Sequence, residues 1–242
     1  MAGGAVPAES LVRRSIRPAC HNPPMTKTKL TYVTDTYCIW CWGFGEALRG
    51  FAQQNADRIE LEVLPGGLLV GDRVQPVGEK PRVLESAARV ANMTGVPTGE
   101  GFRRSVEEGS TVLDSGVAAR AYWALHSLAP SRGLDIAHAL QHAWYWDGLD
   151  LHDPAVIGGV ARELGLDAAA AARALADPAA EIQALAGFER RQTLDISGYP
   201  TLLVHGPHGT QRIGGARATP AKLTAAFEQV LAGETVEEED EE

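Results

Sequence analysis

Hydrophobic and polar positions alternate in two short runs in the first third of the chain. Residues 29–35 are rich in β-branched and aromatic side chains, and residues 58–64 place Ile59, Leu61 and Val63 on one face with polar residues between them. A two-residue period of this kind is typical of β-strands. Between the two runs, apolar residues recur at helical spacing over residues 42–52. The order strand, helix, strand predicts a βαβ unit.

A second pattern of strands lies near the C-terminus. An apolar run at 198–204 has a proline at its head, and a second short run follows at 211–215. Thr219 and Pro220 then form a helix-start signal ahead of inward positions at Leu223, Phe227, Val230 and Leu231. This pattern predicts a ββα ending, and we expect the Tyr199–Pro200 peptide bond to be cis.

The long middle of the chain shows helical periodicity and turn residues, with no convincing strand between residues 80 and 194. Aspartate followed by proline at Asp153–Pro154 and Asp177–Pro178 is a strong helix-start signal. We expect the aromatic residues of these stripes, Trp123, Trp144, Tyr145 and Trp146, to be core residues. The predicted helices are 81–93, 114–128, 134–146, 154–164 and 178–194.

Cys38 and Cys41 stand at the junction between the first predicted strand and its helix, and the chain has only three cysteines. A sulfur at the start of a helix lies near unpaired backbone N–H groups and the positive end of the helix dipole, which favour the thiolate. We therefore predict Cys38 as the attacking sulfur and Cys41, one turn later, as the resolving sulfur. Trp40 is predicted to be partly exposed beside Cys38, and Trp42 to be buried behind the motif.

The run Cys38-Ile39-Trp40-Cys41-Trp42-Gly43-Phe44 resembles the active site of DsbA-like thioredoxin-fold oxidoreductases, and within them the FrnE-like disulfide isomerases with a CxWC motif. Gly198-Tyr199-Pro200-Thr201 is similar to the cis-proline loop of the same family, and by order of elements the resemblance covers residues 28–232. It implies a thioredoxin-like domain interrupted by a helical insertion, with Tyr199 and Pro200 facing the dithiol.

Together these patterns predict an α/β, thioredoxin-like fold (βαβ…ββα) with a large all-helical insertion. We expect the domain's first part at 28–64, the insertion at 65–194 and its second part at 195–232, with disordered tails at 1–27 and 233–242. The third cysteine, Cys20, falls in the first tail and is interpreted as an incidental thiol. Met25 raises the hypothesis of a later translation start.

Charge and composition narrow the function classes. The net charge of -9 includes six acidic residues at 237–242, so the remainder has no basic excess and nucleic acid is not an expected partner. No membrane segment or secretory signal is evident, which predicts a cytoplasmic protein. His138 and His142 are spaced for a metal but lack the accompanying glutamate, so no metal site and no cofactor other than the redox-active dithiol is assigned.

The predicted function is a thiol-disulfide oxidoreductase working in the reductase or isomerase direction on protein or small-molecule disulfides. Cys38 and Cys41 are the candidate catalytic residues, and Ile39, Trp40, Tyr199, Pro200 and Thr201 are the candidate substrate-binding residues. Glutathione is the candidate reductant. Two alternatives stay open: a glutathione-binding enzyme similar to kappa-class transferases and isomerases, which use a serine-type first position, and a redox-sensing binding protein.

Overall fold

A four-stranded mixed sheet forms the centre of the molecule. This computed structural model describes residues 26–215 and 217–236, together with residues 1 and 3. Strands β1 (Thr28–Thr34) and β2 (Ile59–Pro65) pair in parallel, and β5 (Thr201–Gly206) and β6 (Gly209–Ile213) extend the sheet antiparallel from β1, in the order β2-β1-β5-β6. Two helices, α1 (Ile39–Gln54) and α9 (Pro220–Ala232), complete the βαβ and ββα units. The predicted fold class is confirmed.

Successive side chains of a strand point to opposite faces of the sheet, and α1 covers one of these faces. Leu30 and Tyr32 of β1 pair with Val204 and Leu202 of β5, and all four are buried. The Tyr32 ring lies 5.8 Å from the ring of Phe44 on α1, so this face of β1 packs against that helix. Helices α1 and α9 contact each other through Phe51 and Phe227, whose rings pack edge to face with their centroids 5.7 Å apart. We call β1, α1, β2, β5, β6 and α9 the sheet unit.

The chain between β2 and β5 is mostly helical and is called the helical segment below. Its helices are α2 (Val83–Thr94), α3 (Glu100–Glu108), α4 (Ser115–Leu128), α5 (Gly133–Tyr145), α6 (Pro154–Glu163), α7 (Ala168–Ala176) and α8 (Pro178–Gln192). Helices α4, α5 and α8 pack on one another or on β2, and α7 packs against both α6 and α4.

Local capping chemistry accounts for several helix starts. The carboxylates of Asp153 and Asp177 accept hydrogen bonds from the backbone N–H groups two residues later, with proline at the first helical position. The Thr219 hydroxyl accepts the N–H of Lys222 at the start of α9. These three predicted starts are confirmed, and the mechanism is the one that the residue types suggest.

The structure also differs from the sequence-based expectations. Helices α3 and α7 were not predicted, because α3 has few apolar residues and α7 is almost entirely alanine. A two-residue antiparallel pair, β3 (Gln75–Pro76) with β4 (Val112–Leu113), interrupts the segment expected to contain no strand. Of the four aromatics predicted to be core residues, Trp144 and Tyr145 are buried, Trp123 is half-buried against the core, and the prediction is wrong for Trp146, the C-cap residue of α5, which is 44% exposed.

The predicted tails fall largely outside the described residues, as do Cys20 and Met25. At the other end, the chain stays attached beyond residue 233. The Gln211 side chain of β6 donates to the Glu234 carbonyl and accepts from the Val236 N–H. Among the described residues, no helix is long and apolar enough to cross a membrane.

Candidate active site

Cys38 is the N-cap residue of α1, and a three-residue connection, 35–37, joins it to the end of β1. Its backbone is extended, and its sulfur accepts a hydrogen bond from the Cys41 N–H at 3.3 Å. The sequence-based placement of the motif at the start of a helix is confirmed. The side chain that follows one turn later, Cys41, is 0% exposed, whereas Cys38 is 5% exposed and lines a cavity. Both are free thiols.

The cis-proline loop reaches the same place from the other end of the chain. The Tyr199–Pro200 bond is cis, as expected, and the Cys38 Sγ lies 3.6 Å from the Tyr199 carbonyl oxygen. The Tyr199 hydroxyl donates to the carbonyl of Gly66 at 2.5 Å, so this ring links the loop to the end of β2. Two remote parts of the chain thus meet at one sulfur.

The other predicted site residues occupy different environments. Trp40 is partly exposed and lines the cavity with Cys38 and Tyr199, whereas Ile39 lines a neighbouring apolar cavity. Thr201 is buried in β5, and its hydroxyl donates to the Gly198 carbonyl, so its side chain does not reach the cavity. The structure therefore brings Trp40 and Tyr199 to Cys38, and separates the Ile39 and Thr201 side chains from the cavity that Cys38 lines.

Trp42 is buried behind the motif, as predicted. Its indole N–H donates to the Pro97 carbonyl at 3.1 Å, and its ring stacks on His138 at 5.5 Å. Burial lowers the pKa of His138 to about 4, with further lowering by Arg49, so this imidazole is neutral at pH 7. His138 is a packing partner of Trp42. The described residues contain no cluster of three or more potential metal ligands.

Asp35, at the end of β1, is a buried carboxylate that the sequence-based reasoning missed. It accepts hydrogen bonds from the N–H groups of Tyr37 and Leu68 and from the hydroxyl of Ser115, at 2.9, 2.8 and 3.0 Å. Burial raises its pKa in spite of these donors. The signal available in the sequence was a charged residue ending an apolar strand three positions before the first cysteine.

The electrostatics around Cys38 oppose ionisation of its thiol. Burial raises the pKa of Cys38, the adjacent Cys41 thiol and the Asp35 carboxylate raise it further, and the Cys41 backbone N–H lowers it. The helix start was expected to favour the thiolate, and it does so only through this one N–H contact. The contributions that raise the pKa of Cys38 outweigh it.

Comparisons with known proteins agree with this geometry. The profile of the DSBA-like thioredoxin domain family matches residues 29–228. A search of curated protein sequences returns no match.

Solved structures with the same fold include a Nitrosomonas europaea protein, at 23% identity and a TM-score of 0.72, covering 86% of this chain and 99% of the other. The cytosolic disulfide reductase DsbM from Pseudomonas aeruginosa is 24% identical with a TM-score of 0.73, covering 84% and 98%. A second structure of DsbM, determined with GSH (glutathione), covers 84% and 99% at a TM-score of 0.70. Since the family profile spans most of the chain and its dithiol motif is in place, the protein belongs to the DSBA-like thioredoxin domain family and is a thiol-disulfide oxidoreductase.

Proposed function

We propose that the protein reduces disulfides, with Cys38 as the nucleophile. The Cys38 thiolate attacks one sulfur of a substrate disulfide, forms a mixed disulfide, and expels the other sulfur as a thiolate that takes up a proton. Cys41 then attacks the Cys38 sulfur, releases the second substrate thiol, and leaves a Cys38–Cys41 disulfide. Two molecules of glutathione return that disulfide to the dithiol and become oxidised glutathione.

The single observation that carries this proposal is the asymmetry of the two sulfurs. Cys38 lines a cavity and lies against the cis-proline loop, whereas Cys41 is fully enclosed one turn away with its N–H bonded to the Cys38 sulfur. A substrate can therefore reach the first sulfur and not the second, which is the order that attack and resolution require.

The reducing direction is supported by the environment of Cys38. A strongly oxidising dithiol gains its potential from stabilisation of the reduced thiolate form. Here burial raises the pKa of Cys38, and the Cys41 thiol and the nearby Asp35 carboxylate raise it further. A thiolate without such stabilisation is a better electron donor and a poorer leaving group.

Substrate contacts are proposed at both sides of Cys38. Trp40 and Tyr199 border the cavity, and Pro200 and the Thr201 backbone follow at the head of β5, where an extended substrate segment would lie against the loop. Ile39 would contact substrate from the neighbouring apolar cavity. Glutathione as reductant and a cytoplasmic location are proposed by analogy with DsbM, a cytosolic disulfide reductase whose structure has been determined with GSH.

Insulin reduction with glutathione and glutathione reductase tests the proposal. We expect the wild type to turn over, Cys38→Ala to be inactive, and Cys41→Ala to accumulate a mixed disulfide at Cys38 visible by mass spectrometry. A wild-type protein that is oxidised and reduced stoichiometrically, with no turnover of any disulfide, would instead identify a redox-sensing binding protein.

A further inference from the structure

The cavity in front of Cys38 has the dimensions of a small-ligand site. Its volume is about 380 Å³, within the range of about 300–1,000 Å³ common for such sites. Cys38 and Tyr199 border it from the sheet unit and the cis-proline loop, and Phe188 and Arg191 border it from α8. Arg73, from the short turn after β2, completes the rim.

Two arginines of this cavity have no acidic partner within the part of the chain that the structure describes. The guanidinium of Arg191 lies over the Tyr199 ring at 5.3 Å, and its Nε is buried without a hydrogen-bond acceptor in the described part of the chain. Arg73 Nη2 donates a hydrogen bond to the Gly67 carbonyl at 3.4 Å. Neither arginine forms an ion pair with any carboxylate of residues 26–215 and 217–236, and none of the described lining residues is acidic.

The chemistry of these groups defines the ligand. A guanidinium presents a planar fork of donors that matches a carboxylate. Two such forks beside a nucleophilic sulfur, in a cavity of this size, suit a short peptide thiol that carries two carboxylates. We propose that the cavity binds the glutathionyl half of a glutathione mixed disulfide, with Arg73 and Arg191 pairing with its carboxylates, and that the protein removes glutathione from such disulfides.

With the glutathionyl half in the cavity, the glutathionyl sulfur is the one that Cys38 attacks. This inference rests on the reductase function proposed above. The Cys38 thiolate bonds to the glutathionyl sulfur, the disulfide bond of the substrate breaks, and the former partner leaves as a thiolate that is protonated by water. A second glutathione thiolate then attacks the glutathionyl sulfur, forms oxidised glutathione, and restores Cys38. Cys41 is not required for this cycle, because the thiolate of a free glutathione, and not Cys41, breaks the Cys38–glutathionyl disulfide.

The test compares substrates that differ only in the carboxylates. The mixed disulfide of glutathione with 2-mercaptoethanol is offered either as the free acid or as the glutathione dimethyl ester, and bis(2-hydroxyethyl) disulfide serves as the neutral substrate. We expect the wild type to prefer the free acid over the ester by about tenfold or more in kcat/KM. Arg73→Gln and Arg191→Gln should each remove most of that preference, measured as the ratio of kcat/KM for the acid to kcat/KM for the ester.

Two controls separate the interpretations. Arg104→Gln, an exposed arginine on α3 outside the cavity, changes the net charge equally and should leave the preference intact. Cys41→Ala, treated with the free-acid mixed disulfide, should retain the glutathionyl group at Cys38, and mass spectrometry identifies which half is retained. Equal rates on acid and ester, or retention of the mercaptoethanol half, would overturn this inference and leave the reductase function standing. Inactivity on all three substrates and on insulin would overturn the reductase function itself.

Discussion

The sheet unit and the helical segment contribute different parts of the active site. The sheet unit supplies both cysteines, and the Cys41 N–H of α1 donates to the Cys38 sulfur. The Tyr199 carbonyl, at the end of the chain that runs from β2 to β5, also contacts this sulfur. The chain between β2 and β5 supplies the charged groups, Arg73 and Arg191, and closes the cavity with Phe188. In this protein the two sulfurs and the positive charge at the cavity therefore come from separate regions.

Asp35 connects the two regions. Asp35 lies between β1 and α1, and two of its three donors come from the helical segment: the Leu68 N–H in the loop after β2 and the Ser115 hydroxyl at the start of α4. A second link is aromatic: Trp144 of α5 packs edge to face on Tyr37, the residue before Cys38, at 5.9 Å. The helical segment is thus packed directly against the chain that leads into the dithiol. We therefore expect a substitution in one region to alter the stability or the chemistry of the other.

The largest effect is expected from removing a large side chain at this contact. Trp144 is 1% exposed and touches Phe102 as well as Tyr37, so Trp144→Ala should lower the free energy of unfolding by about 3–5 kcal/mol. Phe227→Ala in the sheet unit, also fully buried, is the matched variant. Urea unfolding followed by fluorescence and by circular dichroism measures both.

If the regions unfold as one cooperative unit, both variants shift a single transition to lower urea concentration. An additional early transition in Trp144→Ala, with the sheet unit still folded, would show instead that the helical segment is an independent domain.

Asp35→Asn changes the charge at the connection while keeping its shape. The amide has a single acceptor oxygen for three donors, so we expect a loss of about 1–3 kcal/mol of stability from a donor left unpaired. Because the Asp35 charge is one of the causes that raise the pKa of Cys38, its removal should lower that pKa. The alkylation rate of Cys38 with iodoacetamide, measured against pH in a Cys41→Ala background, should rise at lower pH in the variant.

Asp177→Asn is the control, because it removes the charge of a carboxylate that caps the start of α8 and is not part of the dithiol site. It should leave the alkylation profile unchanged. An unchanged profile in Asp35→Asn as well would mean that burial alone sets the ionisation of Cys38.

Gly66→Ala tests the junction between β2 and the cis-proline loop. A Cβ at this position would overlap the Tyr199 ring and lie 2.6 Å from its hydroxyl, whereas a Cβ at Gly198, in the same loop, would meet no atom within 4 Å. We expect Gly66→Ala to cost about 1–3 kcal/mol through overpacking and to lower kcat/KM for disulfides, and Gly198→Ala to change neither. Similar effects in the two variants would place the sensitivity in the loop backbone, with no special role for the Tyr199 contact.

Features of the site that depend on residues close together in sequence could be predicted, and features that depend on residues far apart could not. The position of Cys38 at the start of α1, and the partial exposure of Trp40 against burial of Trp42, follow from residues within two helical turns. The cis bond at Pro200 was expected because a proline heads a strand in a chain that also carries a CxxC motif.

The charged cavity could not be found in this way. Arg73 and Arg191 are 118 residues apart, and neither lies in a motif or a periodic stripe that marks a site. Their convergence depends on how α8 packs against β2 and on the course of the turn after β2, which are properties of the tertiary structure. The short β3–β4 pair was missed for a related reason, since two residues carry no detectable period.

The smallest effect is expected at the ion pair that fastens α8 to the sheet edge. Arg190, the residue before Arg191, donates from its Nη2 to Glu62 Oε2 at 2.6 Å. The Arg190 and Glu62 side chains are 47% and 42% exposed. The hydrogen bond from Arg190 lowers the pKa of Glu62. Since the pKa is lower in the folded state, the pair stabilises the fold above the unfolded pKa of glutamate, about 4.3, and this contribution is lost as the pH falls through the folded value.

Solvent screening limits such a pair to about 0–1 kcal/mol. Arg190→Gln should therefore lower the free energy of unfolding by less than about 1 kcal/mol at pH 7, and the difference from the wild type should shrink below pH 4 and in high salt. Urea titrations at several pH values measure it, with Arg104→Gln as the control for net charge. A loss of several kcal/mol that does not depend on pH would indicate that the Arg190 side chain holds α8 by packing, and Arg191 would then owe its position over Tyr199 to that contact.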